Sequence, residues 1–421
     1  MRALPSRFKY YGKTKPLMSV TLLIDLDDTL LINPLEKFMP AYIKLLSNKL
    51  APFVAPEKMV PQLLAATDCM IKAIDSTKTL EQTFDENFYP VLGLEKSTIE
   101  PLINDFYQNE FNDLQKVTSI RPEALRLIEY AVSNNYTIIV ATNPLFPQTA
   151  MRSRLNWAGF SNEKFPFVFV TSYEMMHFSK PNPAYYAEIL GRLGWPRGPI
   201  CMVGNSLKED ILPPSTLGIP GFWVDGKIEK LNELQKRAIP LGSLNEIIPW
   251  LETLPNPEGQ IDLKTVQGVL GTLRATPVVL NYLTENLSES VWRNKSESQD
   301  LSVLELLNHL LDVESEINTP RIELVLSSEN PFIAGIDSDP WIIERQYQTT
   351  RTPRVISDFA SQRQNSIERL TALSEVEWMR PARHSFFGPT TLLELVRFIA
   401  IHDIDHIRQV YVLITAGFKN K

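Results

Sequence analysis

The chain has 421 residues, of which 44% are hydrophobic and 22% charged, with a formal net charge of −7. That length exceeds one ordinary core, so two or three domains are expected, while no apolar run approaches the roughly 20 residues of a membrane span. The negative balance argues against a nucleic-acid footprint, which would show as a basic face or stripe, and only two cysteines, Cys69 and Cys201, argue against a disulfide framework and for a reducing, cytoplasmic setting.

Residues 1–17 carry Arg2, Arg7, Lys9, Lys13 and Lys15 with no acid and lack the apolar stretch of a signal peptide, so they read as a disordered basic leader. From Ser19 the run "SVTLLIDLDDTLL" is β-prone and apolar, then abruptly acidic, which predicts a buried strand delivering carboxylates at its C-terminal end. A mostly helical stretch follows, about 34–118. Strand and helix patterns then alternate: helix "PEALRLIEYAVSN", strands "YTIIVAT" and "FVFVTS", helix "PNPAYYAEILGRLG", strands "PICMVGN" and "PGFWVDG". This alternation predicts an α/β parallel sheet with crossover helices. The cluster "PNPEG" after "LNEIIPWLETL" has linker composition. It divides a first domain, 18–254, from a second, 262–421, through a linker at 255–261. Beyond it the strand signal nearly vanishes, and helices over about 263–287, 301–317, 354–374 and 390–415 predict an all-α four-helix bundle without a sheet.

Three separated features of the first domain fall at strand C-termini, where open α/β sheets place ligands. They are Asp25 and Asp27 in "DLDDT", Thr142 in "VATNP", and the pair "SKPNP" and "VGNSLKED". Residues 25 and 27 share one face by strand alternation, so both carboxylates can reach one ligand. Facing carboxylates repel unless a cation or proton lies between them, and Mg²⁺ suits hard oxygen donors beside a phosphate.

In this order the motifs resemble the haloacid dehalogenase-like hydrolase superfamily with a helical cap, over residues 19–254. DxDxT is matched by Asp25, Asp27 and Thr29, the strand-terminal Thr by Thr142, the Lys ahead of "PNP" by Lys180, and the fourth motif by "GNSLKED". The resemblance implies a Rossmann-like sheet with an inserted cap and phosphatase chemistry on a small phosphorylated metabolite. Asp25 would be the nucleophile forming an aspartyl-phosphate, and Asp27 the general acid and base. Thr142, with the Asn143 backbone amide, would bind phosphoryl oxygens, with Thr29 beside the substrate, and Lys180 would neutralise charge. Asp25, Asp27, Asn205 and Asp210 would form the Mg²⁺ site. One departure stands out: the fourth motif usually begins Gly-Asp, whereas residue 205 is Asn, a neutral oxygen donor that weakens metal affinity. His177, in "MMHFSK", is expected to face the cap or the surface.

In the second domain "FIAIHDIDHIRQV" places His402 and His406 one helical turn apart on the stripe that also carries Leu395, Ile399 and Leu413. Ile401, Ile404 and Ile407 make the opposite side apolar, so this helix is expected to be buried on two sides, by its bundle and by a second subunit in a homodimer. His309, in "LSVLELLNHLLDVESE", supplies a third nitrogen, the pattern of an open zinc-like divalent site. "HDIDH" lacks the Glu after the first His that a metalloprotease helix carries. "NHLLDVE" and "HDIDHIRQ" resemble the DinB-like four-helix-bundle family over about 262–416. That resemblance implies a divalent metal held by His309, His402 and His406 and, in some members, thiol-dependent transferase chemistry. His384, in "ARHSFFG", is expected in a surface loop.

The expectation is a Mg²⁺-dependent phosphatase fused to a metal-binding bundle. The alternative is a catalytically weakened first domain that binds or regulates, with the main activity, a metal-dependent transferase, in the bundle.

Overall fold

The computed structural model describes residues 19–417, apart from 162–163, 233–234, 236–237, 255–260, 296–300 and 351. The leader and most of the expected linker therefore lie outside the described residues. Strand β1 (Thr21–Ile24) is buried throughout and gives way to the acidic turn. Short strands β2 (Leu31–Ile32) and β3 (Ser119–Ile120) then pair antiparallel, forming the neck of a cap built from α1 (Leu35–Leu50), α2 (Pro56–Ile71), α3 (Leu80–Phe88) and α4 (Lys96–Gln108). The cap closes around its own aromatic core: Phe38, Tyr42, Phe106, Tyr107 and Phe111 are all buried, and Tyr42 and Tyr107 share a hydroxyl hydrogen bond of 2.9 Å.

After the cap come α5 (Pro122–Ser133), β4 (Thr137–Val140), α6 (Gln148–Trp157), β5 (Phe167–Val170), α7 (Pro183–Arg192), β6 (Ile200–Gly204), β7 (Gly221–Val224) and β8 (Leu241–Gly242). The six long-range partners form one sheet in the order β5-β4-β1-β6-β7-β8, every pairing parallel. β1 sits centrally, with Ile24 level with Val140 on one side and Val203 on the other. The expected α/β sheet and cap are thus present.

Side-chain alternation splits the core in two. Leu22, Ile24 and Leu26 enter one cluster with Leu127, Ile128 and cap residues, whereas Leu23 enters another with Ile139, Met202, Tyr186 and Ile189. The alternation outlasts the strand, which ends at Ile24, and it leaves Asp25 and Asp27 on the face opposite Leu26.

The second cluster does not stop at α7. It continues into α8 (Val266–Thr284), α9 (Val303–Val313), α10 (Thr352–Thr371) and α11 (Leu392–Gly417), the four long helices of the bundle. α8 lies directly on α7. Gly191 permits this approach, since a Cβ there would run into the Val279 side chain, and Pro183 meets Gly271 in the same way, 2.9 Å from the Cβ that Gly271 lacks. The two apolar sides expected of α11 are present, and on the second the first module makes contact: the Arg408 guanidinium donates to the Trp195 carbonyl at 3.0 Å.

Two expectations for the bundle need correction. A three-stranded sheet is present, β9 (Phe332–Ile333), β10 (Pro381–His384) and β11 (Gly388–Thr391), in the order β11-β10-β9. His384 ends β10 and is buried rather than looped at the surface, its ring 4.5 Å from Phe387, which stacks on Phe398 of α11 at 3.8 Å. The stretches "PARH" and "GPTT" lack the alternation that announces a strand, and each contains a proline, at the first residue of the central β10 and within the edge strand β11. Among the described residues no helix is long and apolar enough to cross a membrane.

Candidate functional site

Lys180 joins the ends of two central strands by bridging Asp25 and Asp210. Asp25 follows β1 and is anchored through its backbone N–H to the Val203 carbonyl at 2.9 Å. Lys180 reaches it from the loop between β5 and α7: Nζ lies 2.8 Å from Asp25 Oδ1 and 2.5 Å from Asp210 Oδ1, and all three residues are buried. Asp210 comes from the π-helical turn Leu207–Ile211 after β6, and its other oxygen accepts the Ser206 N–H at 2.9 Å. Only glycine fits at position 204, where any Cβ would strike the Asp210 carboxylate. The Thr29 hydroxyl donates to Asp25 Oδ2 at 3.2 Å.

Thr142 follows β4 by two residues. Its carbonyl is pinned by the Thr171 hydroxyl at 2.7 Å and the Tyr185 hydroxyl at 2.8 Å, which fixes the turn that carries Asn143. The Asn143 side-chain oxygen is buried with no protein donor among the described residues. An unsatisfied buried oxygen of this kind marks a place where a ligand or water belongs.

Asp27 stands slightly apart. One of its carboxylate oxygens receives the Asn33 amide at 2.7 Å, the other the Arg154 guanidinium at 2.5 Å. Arg154 is buried on α6, stacked 4.9 Å from the Phe146 ring. Sequence reasoning missed this residue: an arginine in the helix "QTAMRSRLNW" ordinarily points to water, and only the tertiary approach of α6 to the acidic turn shows otherwise.

The charges do not balance. Asp25, Asp27 and Asp210 face Lys180 and Arg154, one positive charge too few. Burial pushes the Asp25 carboxyl up to about 7; Lys180 acts against that shift, and the Asp210 and Asp27 carboxylates add to it. Burial disfavours the Lys180 charge too, yet the Asp210 and Asp25 carboxylates outweigh it and hold the ammonium well above its ordinary range. A small divalent cation with a taste for oxygen would supply the missing charge, and the donors Asp25, Asp210 and Asn205 fit Mg²⁺. The Asn205 carbonyl is already taken by the Trp223 indole at 2.8 Å, so its contribution would be the side-chain oxygen.

A second centre lies in the bundle. His309 on α9 and His402 and His406 on α11 bring one ligand atom each within 4.8 Å of one another, the only such cluster of three among the described residues. His402 Nε2 and His406 Nε2 are 3.0 Å apart, and His406 Nδ1 faces the Gln409 side-chain oxygen at 3.0 Å. Gln409 thereby favours the tautomer that leaves His406 Nε2 as an acceptor, the usual arrangement behind a metal-bound imidazole. The buried Nδ1 of His309 has no hydrogen-bond partner among the described residues. Burial, aided by neighbouring histidines, depresses all three imidazoles, His309 to about 4 and His402 and His406 to about 3. They stay neutral at physiological pH, the state that binds zinc-like ions. His384 lies outside this cluster.

Behind the triad is a buried ionic network. Arg363 on α10 holds Glu314 through Nε and Nη2, both at 3.0 Å, and holds Asp403 through Nη1 and, at 3.2 Å, Nη2. Thr276 of α8 donates to Asp403 at 2.8 Å and Ser366 to Glu314 at 2.7 Å. Asp403 adjoins His402 in sequence, and Glu314 follows His309 by little more than a turn, so one guanidinium locks the two ligand-bearing helices together. Glu314 and Arg363 were not among the expected site residues.

A family model for the haloacid dehalogenase-like hydrolases matches residues 20–214, and one for the DinB superfamily matches residues 272–410. Among solved structures, a HAD phosphatase from Thermococcus onnurineus is similar at 17% identity over 56% of this chain and 99% of its own, with a TM-score of 0.37. A 2-haloacid dehalogenase from Pseudomonas syringae pv. Tomato is similar at 20% identity over 56% and 98%, TM-score 0.41. YfiT from Bacillus subtilis, with an unusual four-helix bundle topology, is similar at 20% identity over 37% and 91%, TM-score 0.31. No curated protein matches the chain. The chain therefore joins a haloacid dehalogenase-like hydrolase module to a DinB-superfamily module.

Proposed function

We propose that the protein hydrolyses a small phosphate monoester at the Asp25 site with Mg²⁺, and that its bundle holds a second divalent metal on His309, His402 and His406. The observation that supports the phosphatase reading is the Lys180 bridge between Asp25 and Asp210 at one end of a parallel sheet, an arrangement suited to a nucleophile with its countercharge and oxygen donors. An Asp25 oxygen attacks phosphorus while the bond to the leaving alkoxide breaks. Asp27 gives that alkoxide a proton, and then takes one from the water that cleaves the aspartyl-phosphate. Lys180 offsets charge on the phosphoryl oxygens and on Asp25. The Thr142 hydroxyl and the Asn143 backbone N–H donate to the phosphoryl oxygens, and Thr29 orients Asp25. Mg²⁺ on Asp25, Asn205 and Asp210 would add charge stabilisation and alignment. Asp27, with both oxygens engaged by Arg154 and Asn33, is left as proton carrier rather than metal ligand.

The test is turnover of p-nitrophenyl phosphate by the intact chain with and without Mg²⁺. A pH dependence accompanies it. Because Asp25 keeps its proton up to about pH 7 in the folded, metal-free chain, Mg²⁺ has to displace that proton. Apparent Mg²⁺ affinity should climb by up to about tenfold per pH unit below neutrality and level off above it. The folded state binds the Asp25 proton more tightly than the unfolded state. Metal-free stability should therefore fall as pH rises from the ordinary carboxylate range to about 7 and be restored by Mg²⁺. Calorimetric Mg²⁺ titrations and thermal unfolding at several pH values check both; an affinity flat across that range contradicts the assignment.

Asn205 in place of an acid, together with the Arg154 clamp on Asp27, favours a second reading in which the site binds a phosphorylated metabolite without turning it over. Saturable phosphate binding with no Mg²⁺-stimulated hydrolysis would select it. For the bundle, His402→Ala should cut a stoichiometric metal content to a trace while leaving the fold intact, read by elemental analysis and circular dichroism. Full retention of metal in that variant rejects the triad.

A further inference from the structure

Two segments of different kinds grip Asp27. Arg154 holds the oxygen Oδ2 at 2.5 Å from the core helix α6, and Asn33 holds Oδ1 at 2.7 Å from the neck that leads into the cap. Arg154 is itself fixed: it is 2% exposed, its guanidinium stacks 4.9 Å from the Phe146 ring, and that ring packs 5.2 Å from Tyr42 of the cap. Asp27 is its only acidic partner among the described residues. A buried guanidinium is costly without a paired carboxylate, so this contact has to outlast any chemistry at Asp27.

The two donors differ in what they permit. A guanidinium only donates and keeps its charge at any working pH, so the oxygen that faces it can only accept. A carboxamide also carries an acceptor, and the Asn33 side-chain oxygen is buried without a partner among the described residues. The ionised Asp27 suits the amide nitrogen, and a proton on Asp27 Oδ1 suits the amide oxygen once the amide turns over. A proton can therefore come and go at Oδ1 with every contact kept, whereas at Oδ2 it would break the contact to a buried charge. The Asp27 side chain is 33% exposed and so stays within reach of a leaving group.

We propose that Arg154 is a positioning residue for hydrolysis, reserving Asp27 Oδ2 as a permanent acceptor and thereby assigning proton transfer to Oδ1. Oδ1 gives its proton to the alkoxide as the bond from phosphorus to the leaving oxygen breaks. It takes one back from the water whose oxygen attacks the aspartyl-phosphate and releases Asp25. The proposal rests on the phosphatase reading and adds to it which oxygen moves the proton and what holds it there. Under it the Arg154 clamp orients Asp27 instead of disabling it.

Leaving groups separate orientation from mere support. With Mg²⁺ and the full chain, kcat/KM on phenyl phosphate and on p-nitrophenyl phosphate covers the steps up to departure of the phenol. Phenolate is the more basic leaving group and needs the proton, while nitrophenolate needs it little. Arg154→Met should lower kcat/KM on phenyl phosphate by about 10²-fold, and by at least about tenfold less on p-nitrophenyl phosphate. Arg154→Lys keeps the charge but offers a single-point contact, so its split should lie between those of the parent and Arg154→Met. It carries the test alone if circular dichroism shows the methionine variant unfolded. Equal losses on both substrates in a folded variant, or no loss on either, overturn the inference and leave the phosphatase reading standing. If the unaltered chain hydrolyses neither substrate, the reading and the inference fall together.

Discussion

Asp25→Asn is expected to reduce turnover of a phosphate monoester by about 10⁴-fold or more, the size of loss seen when a nucleophile is removed. The amide cannot form the acyl-phosphate, while its shape still fills the space between Lys180 and Thr29. Stability gives an independent control. Asp25 is a buried carboxyl whose ionisation is opposed by burial and by Asp210 and Asp27, so a neutral amide relieves charge that the metal-free fold carries at neutral pH. The variant should unfold at the same temperature as the parent or higher, in metal-free buffer near pH 8, and should lose most Mg²⁺-dependent stabilisation. Turnover that survives the substitution would remove Asp25 from the mechanism; lost turnover accompanied by unfolding would leave the chemical argument unsupported.

Arg363→Met carries the second large effect. Arg363, Glu314 and Asp403 are each about 1% exposed or less, and a buried pair broken from one side leaves uncompensated charge that costs about 3–5 kcal/mol. Here two carboxylates lose their partner at once, although Ser366, Asn318 and Thr276 still donate to them. Metal affinity at the histidine triad should fall by about 10–100-fold, as for other outer-shell partners of metal ligands, because the guanidinium fixes the helix of His309 against that of His402 and His406. Arg363→Lys keeps the charge but not the two-sided fork, so it should recover part of the stability and little of the metal affinity. Thermal unfolding without metal and competitive metal titration measure the two effects separately. An unchanged metal affinity in Arg363→Met would show that the triad needs no such brace.

These two sites differ in how far the sequence reveals them. Asp25, Thr142, Lys180 and Asp210 are legible because each sits where a β-prone run ends, and parallel strands carry such ends to one edge of the sheet whatever the loops between them do. His402 and His406 are legible through helical spacing, and His309 through its chain context. Arg154 and Arg363 are not. Each lies on a helix among polar neighbours, and its burial follows from which helix packs opposite, a tertiary fact that no local pattern encodes. The small sheet around His384 escaped for another reason: strands of two to four residues with proline and glycine carry too little periodicity to register. The cover on the second side of α11 was legible as an apolar stripe, yet the stripe does not say whether its partner is another subunit or the same chain.

The apolar cluster that runs from the sheet through α7 into the bundle bears on how the two modules could ever have led separate lives. Its members include Met202 and Tyr186 of the first module and Val278, Val279 and Leu280 of the second, all within one buried apolar cluster. A chain cut near the linker would present that layer to solvent on both fragments, so neither piece is a fair stand-in for the whole, and each should tend to associate through the newly bared wall. Joining the two families here was more than tethering. It replaced two surfaces with an interior, and an interior, once formed, makes the loss of either partner a folding problem for the other.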